Sequence, residues 1–407
     1  MIIQMKHKEN LSRRIFLGKL TASTVGIAAS GLTVSGKSRD GFSALSNNDF
    51  DPWSQTSEKK IRIGIVGGGF GTDFFWHQHP NCIVEAVSDL QEERKKTLME
   101  VYQCSKSYHS LEELVKDDKL DAVAVFTDAP SHGRHIVEVL KHGKHCITAV
   151  PLSMTLEDLY LVKEWKEKTG LKVMMAETSM YRSDLYNAKI IYEKGMFGKI
   201  VYSEGEYYHP HVDTAWGYNE WRNALPPMLY PTHATAYYVG VTGKRYTSVS
   251  CLGFHGDAPR YKKNIYNNPF SSETGLFETG EGGMSRINIF WGTEGAHGET
   301  GRLFGELGRF DKNILHIGEG IKATYEGIGD RNEIEYPDNR PTLPEGMGQG
   351  GHGGSHGHLT NEFIMALVED REPLIDLYEG IAMTAPGIVA HQSALKNGER
   401  LLIPDFD

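Results

Sequence analysis

The chain reads as an α/β protein: a doubly wound parallel sheet, then an α+β domain with a large open, mostly antiparallel sheet. Three observations predict this. Between residues 59 and 177 short apolar runs alternate with helical segments, the pitch of strand–helix–strand units. Glycines crowd the turn directly after the first apolar run. After Tyr181 strand candidates follow one another without intervening helices, the texture of an antiparallel sheet. At 407 residues the chain is long enough for two cores. The expected division is 1–58 as signal and linker, 59–180 as the first domain and 181–407 as the second.

Each element has its own signature. Ile61, Ile63, Ile65 and Val66 make the first buried strand, and Cys82–Ser88 makes the second. A helix over 91–104 follows Asp89, and Ser110 caps another with Glu113 three residues on. The run 120–126 is a strand, 132–142 an amphipathic helix ended by Gly143, and 145–150 the next strand. A helix over 155–169 stops at Gly170, and 171–175 is one more strand. Beyond Tyr181 a helix over 187–194 closes at Gly195. The strand candidates are Ile200–Tyr208, 246–254, 283–291, 301–307 and 308–316. A Gly/His-rich loop is predicted at 346–357, with helices at 359–368 and 378–396.

Composition narrows the class. With 39% hydrophobic and 24% charged residues the chain is that of a soluble globular protein. A net charge of −10 argues against nucleic acid as a partner. Cys82, Cys104, Cys146 and Cys251 lie far apart, without a CxxC, and read as small buried residues. The N-terminus differs in kind: Ser12-Arg13-Arg14-Ile15-Phe16-Leu17 has the pattern of a twin-arginine export signal. The apolar stretch from Leu20 to Ala29 is too short and too rich in Gly, Ser and Thr to anchor in a membrane. Cleavage after Ser30, an exported or periplasmic location and a mature form without a membrane anchor are expected.

The glycine turn carries the first chemistry. A dinucleotide's pyrophosphate needs a turn without side chains, so that backbone N–H groups at a helix N-terminus can approach it. Gly67 and Gly69 take the first two positions of G-x-G-x-x-G, Phe70 follows, and Thr72 holds the third with Gly71 one step early. Asp89, about 20 residues on, stands where a carboxylate meets the adenosine ribose. An acid there repels a 2′-phosphate, so NAD is expected rather than NADP.

With these pieces placed, the chain resembles the Gfo/Idh/MocA oxidoreductases over roughly residues 60–405. The resemblance rests on the 67–72 turn, Asp89, Leu120-Asp121-Ala122-Val123-Ala124-Val125-Phe126-Thr127, His132, Gly143-Lys144-His145, Pro151, Gly195-Met196-Phe197-Gly198-Lys199-Ile200 and His233. It implies a Rossmann domain with an open mixed-sheet domain, a sugar or polyol oxidised at a ring carbon, Thr127 and His132 near the cofactor, and a homo-oligomer. One departure matters. The family usually carries Glu-Lys-Pro, whose lysine helps move the hydroxyl proton, where this chain has Ala149-Val150-Pro151. Leu229-Tyr230-Pro231-Thr232-His233 is similar to the Tyr-Pro-Thr-His segment of the NAD-dependent α-N-acetylgalactosaminidases, a branch that also carries Val-Pro and often a twin-arginine signal. After His233 the chain reads Ala234-Thr235-Ala236-Tyr237 where that branch tends to Gly-Leu-Gly-Pro, so the substrate does not carry over.

The candidate roles follow. His233 is the first choice for acid/base work, because imidazole titrates near working pH; a core histidine bonded to carbonyls is the plain alternative. Tyr230 and Tyr181 are candidates to protonate or orient an oxygen. Glu177, at a parallel strand end, contacts substrate or nicotinamide or caps a turn. Trp221, Arg222 and His209 suit a sugar pocket. No metal is expected at His352, His356 and His358, which have neither a cysteine nor an acid pair nearby; they read as cleft-mouth or solvent-exposed histidines. The expected function is an exported NAD-dependent enzyme acting on a sugar or glycoside by transient ring-carbon oxidation, C–H deprotonation and elimination, with tightly bound NAD. A plain sugar or polyol dehydrogenase and a non-catalytic NAD-bound sugar-binding protein are the alternatives.

Overall fold

The computed structural model describes residues 52–214, 220–295, 297–317 and 332–407. The twin-arginine segment and the cleavage position lie outside these residues.

Among the described residues the first sheet has six parallel strands in the order β3-β2-β1-β4-β5-β6. These are β1 (Ile61–Val66), β2 (Cys82–Ser88), β3 (Ser107–Tyr108), β4 (Ala122–Val125), β5 (His145–Thr148) and β6 (Val173–Met175). Ile63, Ile65, Ala122, Val123, Ala124, Val125 and Ile147 are fully buried, as expected of strands covered on both faces. Four helices connect them: α1 (Glu92–Val101), α2 (Leu111–Leu114), α3 (His132–Lys141) and α4 (Leu156–Thr169). Ser110 caps α2 by accepting from the Glu113 N–H, and Gly170 ends α4 at φ +67°.

The link between β1 and β2 departs from the expected strand–helix–strand unit. In place of an α-helix it holds two 3₁₀ turns, Phe70–Asp73 and Trp76–Gln78. Phe74 and Trp76 are fully buried, and Phe75 between them has φ +55°, which interrupts any helix. The aromatic run anchors the link by its side chains, and helical pairing gives way.

The second sheet has nine strands, ordered β14-β13-β12-β11-β7-β10-β9-β8-β15. They are β7 (Ile200–Tyr208), β8 (Tyr246–His255), β9 (Phe270–Thr279), β10 (Met284–Phe290), β11 (Gly298–Gly305), β12 (Gly308–Asp311), β13 (Ile314–Ile317), β14 (Asn332–Glu335) and β15 (Leu401–Leu402). Only the β7–β10 pair is parallel among the described pairings. β9, absent from the expected strands, lies between two that were expected. Its outward Thr274, Leu276 and Glu278 alternate with buried partners.

Helices do intervene in this half. α5 (Ser183–Glu193) precedes β7, and α6 (Thr232–Thr242) lies between β7 and β8. All eleven residues of α6 are buried, so it has no polar face and no 3.6-residue pattern to betray it. Two glycines let it sink onto the sheet. Gly205 and Gly301 sit opposite each other on β7 and β11; a Cβ on Gly205 would come within 2.0 Å of the Ala234 carbonyl oxygen, and one on Gly301 within 2.1 Å of the Tyr237 ring. α7 (Gly351–Val368) begins inside the expected loop with a left-handed kink at His352, Gly353 and Gly354, and α8 (Leu377–Leu395) follows as expected. The chain returns to the first sheet here: Thr360 Oγ1 of α7 donates to the Phe74 carbonyl in the β1–β2 link, and the Met175 N–H of β6 donates to the carbonyl of Ile375, just before α8. No described helix is long and apolar enough to cross a membrane.

Candidate active site

A cleft of about 640 Å³ runs from the glycine turn to the N-terminal end of α6. Gly67, Gly69, Phe70, Asp89, Thr127 and His132 line one part of it, and Tyr207, His209, Trp221, Arg222, Tyr230, His233 and His352 line the other.

The turn is shaped for a phosphate-bearing ligand. Gly67 has φ +105°, and a Cβ there would meet the Phe126 carbonyl oxygen at 2.1 Å. At Gly69 a Cβ would meet only Arg94 Nη1 at 3.8 Å, so its face toward the cleft is open. A side chain there would fill the room that a pyrophosphate uses. Asp89 is held by two backbone donors, the Gly68 N–H to Oδ2 and the Gln91 N–H to Oδ1, each at 2.7 Å. Its carboxylate is thereby fixed at the cleft wall. These residues fit a dinucleotide. Gly71 packs against Phe126, and Thr72 Oγ1 donates to the Gly69 carbonyl, so both shape the turn and neither lines the cleft.

His132 lies with Nδ1 2.7 Å from the Pro151 carbonyl oxygen and Nε2 3.1 Å from that of Thr127. It ties together the strand ends that wall the cleft. Thr127 Oγ1 is 2.8 Å from His135 Nδ1. The Val150–Pro151 peptide is cis, and the valine side chain borders the cleft with nothing to donate or accept.

His233 sits in the first turn of α6, with Nδ1 2.7 Å from Glu177 Oε1. Both side chains are buried, at 5% and 0% exposure, so the pair is shielded from water and salt. Burial alone would lower the His233 pKa, but Glu177 and then Glu299 overcome it and push it up to about 9. Burial raises the Glu177 carboxyl, and the His233 charge outweighs it, leaving a net lowering. At neutral pH the pair is imidazolium and carboxylate. Because Nδ1 is committed to Glu177, Nε2 is the nitrogen left to meet a ligand in the cleft that His233 lines.

Supporting groups surround the pair. The Ser179 N–H donates to Glu177 Oε1 at 2.9 Å, and Ser179 Oγ donates to Glu299 Oε2 at 2.6 Å. Tyr207 meets the His233 ring edge-on at 4.7 Å, and Tyr230 lies 5.6 Å from it. The Arg222 guanidinium lies 4.4 Å from the Trp221 ring centre and 5.4 Å from that of Tyr230. Together they give an aromatic wall with a fixed cation, suited to stacking a sugar ring and binding its hydroxyls.

The structure therefore gathers Tyr230, Trp221, Arg222 and His209 around His233. Tyr181 and Glu177, like Gly71 and Thr72, lie off the cleft, and for Glu177 the capping alternative is the one observed. Tyr181 does not reach the cleft: its ring stacks on His358 at 5.4 Å and Tyr186 at 5.8 Å, in the core. Glu177 also stays off the cleft surface; it caps the 178–181 turn and charges His233 from behind. Glu299, Tyr207 and Arg94 escaped sequence reasoning, having no motif of their own. Among the described residues no group of three or more His, Cys, Asp or Glu could hold a metal. His356 and His358 are buried rather than exposed, and His352 faces the cleft.

Comparison with known proteins agrees with this geometry. Residues 61–177 match the family described as oxidoreductase family, NAD-binding Rossmann fold. Glycosyl hydrolase family 109 protein 2 of Akkermansia muciniphila is 27% identical over 407 aligned positions, covering 85% of this chain and 83% of its own. An oxidoreductase domain protein from Kribbella flavida has the same fold, with a TM-score of 0.71 at 17% identity, covering 85% of this chain and all (100%) of its own. So does myo-inositol dehydrogenase from Lactobacillus casei, solved with NAD(H) and myo-inositol, with a TM-score of 0.64 at 16% identity, covering 86% of this chain and 98% of its own.

Proposed function

Because its residues 61–177 place the chain in the Gfo/Idh/MocA oxidoreductase family, we propose that it acts on a sugar or glycoside by oxidising a ring carbon transiently and restoring it, with no net redox change. NAD is its cofactor, held by Gly67, Gly69, Phe70 and Asp89. The observation that carries the proposal is the buried Glu177–His233 ion pair at the far end of the cleft that begins at the glycine turn.

Bound NAD would supply reversible hydride transfer to and from a sugar carbon. The chain's residues do the rest. The His233 imidazolium donates from Nε2 to an oxygen of the substrate, either a carbonyl gaining charge or a departing glycosidic oxygen. A carbonyl on the ring acidifies the neighbouring C–H, and that proton passes to a neutral cleft imidazole, His209. The glycosidic oxygen leaves with the His233 proton, and water then adds across the new C=C bond, the carbon regaining a proton, before the hydride comes back. Trp221 and Arg222 hold the sugar, and the buried wall of Tyr207 and Tyr230 keeps bulk water from His233. Glycosyl hydrolase family 109 relatives and the Val150-Pro151 pair favour this redox-neutral course over a plain dehydrogenase. An exported location fits it too: with no NAD pool outside the cytoplasm, an enzyme that ends each turnover with NAD restored avoids needing one.

The test is turnover of a panel of p-nitrophenyl glycosides and free polyols in deuterated water. Deuterium at the carbon beside the oxidised one, without accumulation of NADH, is the expected result. NADH formed in step with product would make the protein a plain dehydrogenase, and unlabelled product would exclude the elimination.

A further inference from the structure

The glycine run Gly67-Gly68-Gly69 holds one glycine more than the dinucleotide fingerprint asks for, since G-x-G leaves its middle position open. Gly68 has a reason of its own. A Cβ there would come within 2.5 Å of the Arg94 carbonyl oxygen and 2.9 Å of the Arg94 Cβ. The missing side chain thus lets the first turn of α1 close on the glycine turn. The Arg94 side chain then reaches Gly69, where Nη1 is the atom that an added Cβ would approach, at 3.8 Å. That is the open face of the turn, and Arg94 lines the cleft beside it.

The guanidinium is uncommitted. Its acidic neighbours on α1 are taken: Glu92 pairs with Lys95 at 2.5 Å and Glu93 with Lys96 at 3.1 Å. Asp89 gives one oxygen to the Gly68 N–H and the other to the Gln91 N–H. Among the described residues the Arg94 side chain makes no ion pair and no hydrogen bond. An arginine does not lose its proton in a protein, so a permanent positive charge stands at the glycine turn without a counter-charge.

The turn itself is short of positive charge. A pyrophosphate ordinarily sits at the N-terminus of an α-helix, where aligned peptides sum to a partial positive charge and unpaired N–H groups point outward. Here that α-helix is missing. The 3₁₀ turn Phe70–Asp73 is four residues long, and Phe75 at φ +55° stops its continuation. The Gly68 N–H is already committed to Asp89. A pyrophosphate entering this turn meets few aligned dipoles, and the turn ends in a carboxylate, Asp73.

We propose that Arg94 supplies the missing charge, binding the pyrophosphate of NAD from across the glycine turn in place of a helix N-terminus. The inference rests on NAD being the cofactor held at this turn. A guanidinium presents its N–H donors in a planar fork that matches phosphate oxygens. The segment after β2 then serves both halves of the nucleotide, with Asp89 toward the adenosine ribose and Arg94 toward the pyrophosphate. A charge-assisted contact of this kind slows release, which suits an enzyme that keeps its NAD through turnover.

The experiment titrates nucleotide-free full-length protein with NAD, ADP-ribose, NADP and adenosine by calorimetry, at low and at high sodium chloride. Arg94→Gln must weaken NAD and ADP-ribose by about 10–100-fold. It must bind adenosine as wild type does, which reports an intact site, and lose most of the salt dependence that wild type shows with NAD. Arg94→Lys, which keeps the charge and loses the fork, must fall between the two. Adenosine weakened as much as NAD would make Arg94 a stacking or structural residue. A loss confined to NADP would assign it to a 2′-phosphate, and unchanged NAD binding would leave it no part in the site. Each of these overturns the inference alone. Wild-type protein that binds neither NAD nor ADP-ribose overturns instead the reading on which it rests.

Discussion

The Glu177–His233 pair makes predictions that differ in sign with pH. The raised His233 pKa stabilises the fold fully below the ordinary 6.5, and that stability is lost as pH climbs through about 9. The lowered Glu177 pKa contributes above the ordinary 4.5 and is lost as pH falls through its depressed value. The melting-temperature gap between wild type and Glu177→Gln should therefore be widest between pH 4.5 and 6.5 and shrink above 9; a gap that grows with alkalinity would contradict the pairing. The same substitution should move the alkaline limb of the kcat profile down toward 6.5. His233→Gln should lose about 10²–10⁴-fold in turnover while retaining NAD. Tyr181→Phe should leave kcat unchanged, since that ring packs on His358 away from the cleft. His233, Tyr230, Trp221 and Arg222 were legible because they lie in or near one motif. His352 was legible only as a cleft-mouth or exposed histidine; the contact beside it between His356 and Asp73, 283 positions apart in the sequence, was not. A glycine-rich run looks the same whether it is slack or fixed by distant donors.

At the scale of elements, strands and helices with a polar face were the readable part. β1, β2, β4 and β5 stand where apolar runs put them, and α2 and α4 begin at their Ser110 and Thr155 caps. Burial on every side hid α6, because the 3.6-residue period needs a polar face to be visible. The 3₁₀ link after the glycine turn was hidden by Phe74 and Trp76, whose anchoring overrides local helix preference. The seat of α6 gives a test. A methyl group at Gly205 cannot fit without moving the Ala234 carbonyl. Gly205→Ala should cost about 1–3 kcal/mol by overpacking and lower kcat by shifting His233. A denaturant midpoint unchanged from wild type would show that α6 is not seated by that notch.

For the whole molecule, the alternation of strand and helix and the later run of strands made both sheets readable. The sequence did not disclose that α7 and α8 return to brace the first sheet, since such contacts join residues nearly 300 positions apart. That return brings the His352 turn beside Phe70 of the glycine turn, their rings 5.8 Å apart. One continuous cleft can therefore hold cofactor and sugar together. Acid should be the weak side of this architecture. Burial holds His79, His135, His352 and His358 at about 4, so each stabilises as a neutral ring. That stability should fall as pH drops from 6.5 toward 4, read by thermal unfolding across the range. The claim on which the rest depends is that the nicotinamide stays in the protein and ends each cycle as it began. It is tested by denaturing enzyme purified without added nucleotide, before and after many turnovers, and measuring NAD released per chain. Close to one NAD per chain in both samples, with no free NADH, is expected; an active enzyme that releases no pyridine nucleotide would contradict it.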